Sequence, residues 1–318
     1  MKFQPPFLLK NKHIQTIYTT LFQKQITIDY TIVDIPLSDG DKLEAYCSFT
    51  KEKSTKYTIL LHGLTGSYRS PYIQRAVTQL NKYGYNAIVI HFRGCSGNPN
   101  LLPRSYHSGD TQDIKEALAY IKKHYTPKHL YAIGYSLGGN VLLKLLGELQ
   151  DKTPFTKAVA ISAPMKLAIS SAKMGRGFSR YYQHRLLKEL QTSLLVKYDM
   201  FDMEKLLKFP RNKVRQIKSF WEFDDVYTAP IHGFKDAQDY YTKSSSFNYL
   251  KTIATPTLII HAKDDPFMTP EVIPTHNDIS DSVELEVSQH GGHVGFIAGS
   301  IFKPKYWLEE RIVSFFEA

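Results

Sequence analysis

Residues 131–140 read YAIGYSLGGN: an apolar run, then Gly134-Tyr135-Ser136-Leu137-Gly138, then a second glycine opening a stretch of helical spacing, LGGNVLLKLLGEL. Composition alone yields a Gly-x-Ser-x-Gly pentapeptide in roughly one chain in ten of this size, so position must decide its meaning. It falls between a stretch that reads as a buried strand and a helix that starts on small residues, the setting of a nucleophile elbow. In so tight a turn the positions two before and two after the serine must lack a Cβ, hence Gly134 and Gly138. The turn pushes the Ser136 hydroxyl out above the carboxyl edge of a sheet. That hydroxyl is a poor nucleophile until a base takes its proton and a third group holds the base.

The flanking sequence predicts such a sheet. QITIDYTIVDIPL (25–37) and KLEAYCSF (42–49) read as strands joined by the turn residues Ser-Asp-Gly-Asp. Short apolar runs follow at 57–63, 85–92, 129–135 and 157–164, separated by helical patterns at about 70–82, 110–124 and 137–149. Runs rich in Ile, Val and Leu, alternating with helices, mark strands covered on both faces of a parallel sheet. The beat breaks between about Met165 and Leu250, where helical patterns rich in Lys, Tyr and Phe take over. It resumes at TPTLIIHAKDD (255–265) and SVELEVSQHGG (282–292), and a helix from about Lys305 to Phe316 closes the chain. The expectation is an α/β fold with a mostly parallel central sheet: one core from 1–164 and 251–318, and a helical lid inserted at 165–250.

The partners of Ser136 follow it in chain order. HAKDDPF places Asp264 and Asp265 at the end of one late run, and HGGHVGF places His290 and His293 just after the next. Serine, acid, then histidine is the α/β-hydrolase order. Asp265, directly before Pro266 in the loop leaving the strand, is favoured as the acid, with Asp264 as a hydrogen-bonding neighbour. His293 follows two glycines that let its loop come close to Ser136, and is preferred to His290. For the oxyanion of a tetrahedral intermediate, the backbone N–H groups of Leu64, in the loop HGLTG, and Leu137 are the candidate donors. His62 is read as structural.

Composition bounds the rest. Of 318 residues, 42% are apolar, and the two cysteines, Cys47 and Cys95, cannot form a disulfide framework. The N-terminal MKFQPPFLLKNKH lacks the apolar segment of a signal peptide, and no run approaches a membrane span, so a cytoplasmic protein is expected. The net charge of +10, from 40 Lys and Arg against 30 Asp and Glu, is spread along the chain. Its densest region, 173–218, mixes basic with apolar residues at helical spacing, and no compact nucleic-acid motif occurs. A solvated basic face is the preferred reading, with no nucleic-acid partner; weak peripheral contact with an anionic membrane stands between the two. The remaining histidines lack metal-ligand spacing, and neither Gly-x-Gly-x-x-Gly nor a Walker A sequence is present, so neither metal nor cofactor is expected.

Beyond these readings, NKHIQTI (11–17), HGLTGS (62–67), HFRGCSGNPN (91–100), RSYHSGDTQDI (104–114), GYSLGGNVLLKLLGE (134–148), SAPM (162–165), FDDVYTAPIHGFKDAQDYY (223–241), KDDPF (263–267) and GGHVGF (291–296) resemble the YheT-like branch of the α/β-hydrolase superfamily. The resemblance runs nearly end to end. It puts the family's nucleophile on Ser136, its acid on Asp265 and its base on His293. It implies hydrolysis of carboxylic esters, of short acyl chain in bacterial members and of acylglycerols or phospholipids in eukaryotic ones. The expected partner is therefore a small-molecule or lipid ester. An acyltransferase with the same triad, or a binding module on the same fold, are the alternatives.

Overall fold

The computed structural model describes residues 3–23, 25–300 and 302–318. A first helix, α1 (Lys12–Phe22), precedes strands β1 (Thr31–Pro36) and β2 (Lys42–Ser48). Strands and helices then alternate: β3 (Lys56–Leu61), α2 (Pro71–Lys82), β4 (Asn86–Ile90), α3 (Gln112–Tyr125), β5 (His129–Tyr135), α4 (Leu137–Leu149) and β6 (Lys157–Ile161). Next comes a helical stretch: α5 (Leu167–Met174), α6 (Ser179–Met200), α7 (Met203–Leu207), α8 (Phe220–Phe223), α9 (Ala229–Ile231) and α10 (Ala237–Ser244). The core resumes with β7 (Thr257–Ala262) and β8 (Val283–Ser288), then a small hairpin of β9 (Ile297–Gly299) and β10 (Pro304–Tyr306), and α11 (Trp307–Glu317).

Eight strands form one sheet in the order β1-β2-β4-β3-β5-β6-β7-β8. The pairs β1–β2 and β2–β4 are antiparallel, and every pair from β4–β3 to β7–β8 is parallel. The expected α/β architecture with a mostly parallel sheet is therefore present. Strand alternation divides the core in two. Ile59 and Leu61 of β3 join Leu142 and Leu146 of α4 and Ile114 and Leu118 of α3 on one face. Leu60 points the other way, toward Val77 and Leu80 of α2 and Ile312 and Phe316 of α11. The chain leaves β3 toward β4 and returns across it to β5, so the winding direction changes beside β5. Crevices at the carboxyl ends of strands form at such a switch, and Ser136 sits there.

Three local differences from the sequence expectations have physical causes. The first strand begins at Thr31 rather than about residue 25, because β1 pairs only with β2 and the ladder ends at Thr31↔Cys47. The strand β8 is an edge with a half-exposed pattern, not a strand buried on both faces. The helix α1 is absent from the sequence expectations, although Ile14, Ile17, Tyr18, Leu21 and Phe22 recur at helical spacing; it starts where the Asn11 side chain accepts the His13 and Ile14 N–H groups.

The loop 91–100 is held by a buried ionic hub. Arg93 donates from Nε and Nη2 to the two oxygens of Asp113 at 2.6 and 2.7 Å, and from Nη1 to Asp41 at 2.8 Å. Asp39 lies 2.8 Å from Nη2. Asn100 adds a bond to Asp41 at 2.6 Å and accepts Lys197 Nζ, from α6, at 2.6 Å. The hub thus ties the β1–β2 turn, the start of α3 and the helical stretch to one loop. Taking charge out of water is offset only while each group keeps its partner. Arg93→Met should cost about 3–5 kcal/mol in urea unfolding; a loss below about 1 kcal/mol would show that the hub does not hold this loop.

Candidate active site

Ser136 is the single residue between β5 and α4, with φ 50° and ψ −118°. This left-handed conformation is costly for a residue with a Cβ. Its N–H is fixed by the Ile161 carbonyl at 2.8 Å. A Cβ on Gly138 would lie 2.4 Å from the Leu61 carbonyl oxygen, and one on Gly134 2.5 Å from that of Gly138. The turn is therefore pressed against the end of β3, which is why glycine is required on both sides.

The loops after β7 and β8 come back over Ser136. His293 Nε2 lies 2.9 Å from Ser136 Oγ, and His293 Nδ1 lies 2.8 Å from Asp265 Oδ2. A carboxylate only accepts, so Nδ1 carries the proton and Nε2 presents its lone pair to the serine hydroxyl. Asp265 is fully buried, and its other oxygen accepts the Phe267 N–H at 2.8 Å. The Phe267 ring stacks flat on the imidazole, centroids 4.0 Å apart and planes 9° apart, which fixes the ring's plane.

The neighbouring pair forms a second contact between the same two loops. Asp264 accepts the Gly292 N–H at 3.0 Å and faces His290 Nδ1 at 3.3 Å. Burial raises the Asp264 carboxyl above its usual range, against the bonds from Gly292 and His290. Of the two histidines, the one whose ring reaches Ser136 is His293.

Residues that the sequence reading passed over hold this histidine loop. Thr16 Oγ1 of α1 accepts the His293 N–H at 2.9 Å, and Ser162 Oγ accepts that of Val294 at 3.1 Å. Gln15 is fully buried; it donates to the Leu9 and Ile297 carbonyls at 2.7 and 3.0 Å and accepts the Ile297 N–H at 2.7 Å. Gly292 has φ 59°, and a Cβ there would lie 2.6 Å from the Lys12 carbonyl oxygen. NKHIQTI was visible as a motif, but a polar residue on a short helix does not announce which loop it caps.

Of the N–H groups from Gly63 to Gly66, Gly63 donates to Tyr72 Oη at 2.9 Å, Thr65 to Tyr106 Oη at 3.0 Å and Gly66 to the Gly63 carbonyl at 3.0 Å. The Leu64 N–H and the Leu137 N–H, at the first position of α4, have no acceptor among the described residues. Both residues line the same cavity as Ser136 and His293. His62 is buried, its Nδ1 bonded to the Gly63 carbonyl at 2.8 Å and its Nε2 accepting the Phe92 N–H at 3.2 Å. Burial pushes its pKa down to about 3, so it is a neutral structural group. Among the described residues, no three His, Cys, Asp or Glu side chains are grouped to hold a metal ion.

The cavity has a volume of about 430 Å³. Its wall opposite the sheet comes from the helical stretch, with Leu167, Met174, Leu190, Leu194, Phe220 and Phe223. That stretch also has an apolar core of its own, in which Leu187, Met203, Val214 and Tyr227 are buried. Residues 246–252 pack instead on the core helix α4, where the Thr252 hydroxyl donates to the Gly147 carbonyl at 2.8 Å. No helix among the described residues is long and apolar enough to cross a membrane.

Comparison with known proteins agrees with this architecture. The profile of the alpha/beta hydrolase fold matches residues 59–300. The chain is 40% identical to "Putative esterase YheT" of Escherichia coli over 98% of its own length and 92% of that protein's. It is 27% identical to a monoacylglycerol lipase of Saccharomyces cerevisiae, covering 92% of this chain and 67% of the lipase. It is 29% identical to the phospholipase ABHD3 of Mus musculus, covering 90% and 71%. Among solved structures, the Pyrococcus furiosus esterase Pf2001 superposes with a TM-score of 0.59 at 20% identity, over 100% of this chain and 98% of that one. At that identity the likeness bears on the fold. Taken with the family profile and the 40% relative, it shows that this chain belongs to the α/β-hydrolase fold family, in its YheT-like branch.

Proposed function

We propose that the protein is a serine hydrolase of carboxylic esters, acting through Ser136, His293 and Asp265 without a cofactor. The observation that carries this reading is the unbroken chain Ser136 Oγ, His293, Asp265, with steps of 2.9 and 2.8 Å, on the wall of an apolar cavity. Ser136 attacks the ester carbonyl while His293 Nε2 takes its proton; Asp265 holds the ring and stabilises the imidazolium. The unbonded N–H groups of Leu64 and Leu137 supply the oxyanion site. His293 then returns the proton to the leaving alcohol and, as a base again, activates water against the acyl-enzyme.

The helices between β6 and β7 act in this reading as a lid, residues 165–250, over a core of 1–164 and 251–318. A cavity of about 430 Å³ lies at the lower end of small-ligand sites, which favours esters of short acyl chain. Lipid esters form a second reading. It is favoured by the names of the lipase and phospholipase relatives. It is also favoured by exposed Phe178 and Tyr181 at the start of α6, close to α1 through a Phe178–His13 ring contact of 4.5 Å. Lys12 and Lys173, whose charges help burial hold His13 below its ordinary pKa, suit this edge to weak contact with an anionic membrane. Both cysteines are free thiols, which accords with a cytoplasmic protein.

Hydrolysis of p-nitrophenyl butyrate should fall by about 10⁴-fold or more in Ser136→Ala, with loss of fluorophosphonate labelling. Wild-type protein that neither hydrolyses the ester nor takes the label refutes the hydrolase reading. The two aspartates should separate cleanly. Asp265→Asn is expected to lower kcat by about 10⁴-fold, because it favours the wrong imidazole tautomer, whereas Asp264→Asn should lose less than about tenfold. Similar small losses in both would remove Asp265 from the triad.

A further inference from the structure

Besides Arg93 and Lys197, which hold the loop 91–100, and Glu189, the cavity wall carries Asp224, a charged group that the ester chemistry does not use. Asp224 opens a five-residue π-helical turn, Asp224–Thr228, an uncommon geometry that recurs at functional sites. It lines the same cavity as Ser136. Its Oδ2 accepts the Tyr241 O–H at 2.6 Å and its Oδ1 the Thr228 O–H at 2.7 Å. The Tyr241 oxygen in turn lies 3.0 Å from Ser171 Oγ. Since the tyrosine proton goes to the carboxylate, Ser171 donates to tyrosine, and the hydroxyls form an ordered relay ending on Asp224. Thr228, Tyr241 and Ser171 all line the cavity as well.

No Lys, Arg or His among the described residues forms an ion pair with Asp224. A carboxylate taken from water without a counter-ion is expensive, and burial raises the Asp224 pKa to about 6, partly offset by the Tyr241 and Thr228 bonds. At neutral pH it is mainly ionised. Each carboxylate oxygen uses one lone pair on a hydroxyl and keeps another. If joining α10 to this turn were the whole task, two neutral hydrogen-bonding groups would suffice. Phe220, Phe223 and Tyr240 also line this wall, and the vacant acceptor positions of the carboxylate are a polar feature that a bound molecule meets there.

We propose that Asp224, with the Tyr241–Ser171 relay, is a specificity subsite that accepts a hydrogen bond from a free hydroxyl of the substrate, so that the preferred esters are partial esters of polyols. This rests on the hydrolase reading above and names the substrate class for the same cavity. A hydroxyl fits better than an ammonium group. Two O–H donors already meet part of the carboxylate's charge, and a neutral donor enters an apolar cavity without the desolvation cost of a cation. An all-alkyl alcohol would leave the carboxylate's remaining acceptors unmet, which is how a polar site rejects an isostere lacking the hydroxyl.

The test compares kcat/KM at pH 8 for glycerol 1-monobutyrate and propyl butyrate, esters of the same acid with and without hydroxyls. Wild-type protein should prefer the glycerol ester by roughly tenfold or more, the scale of a hydrogen bond to a charged acceptor. Asp224→Asn, nearly isosteric, should collapse that ratio to about threefold or less, and Tyr241→Phe should give an intermediate ratio. A preference absent in wild type, or intact in Asp224→Asn, overturns the subsite. Faster turnover of butyrylcholine than of either ester, lost in Asp224→Asn, would assign a cation site instead and overturn the hydroxyl proposal. Binding of 1-O-butylglycerol, a non-hydrolysable ether, to Ser136→Ala protein reads the subsite without catalysis. The ether should bind roughly tenfold more weakly when Asp224→Asn is added, and equal affinity overturns the proposal. Failure of wild type to hydrolyse any of these esters counts against the hydrolase reading, while the ether measurement still decides the subsite.

Discussion

The close approach of the turn at Ser136 to the end of β3 is the contact on which the rest of the site depends. With a carbonyl oxygen of Leu61 only 2.4 Å from where a Gly138 Cβ would stand, the backbone has nowhere to relax. The strained φ of 50° at Ser136 persists because the surrounding sheet over-determines it. The strain sets the direction of the Oγ, and the start of α4 follows immediately, bringing the Leu137 N–H to the same spot. A parallel sheet makes this economical: neighbouring strands end at the same edge, so the loops after β7 and β8 arrive beside β5 without any long excursion.

Much of this was legible in the sequence, and the reasons are local. The runs at 130–135 and 158–161 are buried at every position, so they stand out without an alignment. The chemistry-bearing side chains follow the strand ends, and chain order alone pairs HAKDDPF with HGGHVGF. The preference for Asp265 over Asp264 rested on its place directly before Pro266, and that for His293 over His290 on the two glycines before it. What stayed hidden is long-range. Neither Thr16, Gln15 nor Ser162 has any feature that ties it to residues 293–297, because a hydrogen bond across such a separation leaves no periodic mark. The hairpin β9–β10 is three residues a side, too short for alternation to register.

The charge distribution teaches a related lesson. A formal +10 was read as a solvated basic face, yet the most buried basic groups look inward. Arg93 is held among three carboxylates, and Lys197 donates to the Asn100 and Leu102 carbonyl oxygens at 2.9 and 2.6 Å. Their positive charge fastens loops and helices around the cavity rather than facing solvent. Composition counts charges but cannot tell an anchor from a surface; that depends on which carboxylates the fold brings within reach.

The docking of the histidine loop on α1 has a consequence for the order in which the protein becomes itself. Gln15 and Ile297 are hydrogen-bonded across 282 positions of sequence, so α1 waits for the loop that follows β8. Closing so long a loop is entropically costly and comes late in folding. The sheet from β3 to β6 can assemble before the His293 ring stands beside Ser136. In the reading proposed above, a chain whose histidine loop has not yet docked on α1 carries a serine without its base, so hydrolysis is among the last properties that folding confers.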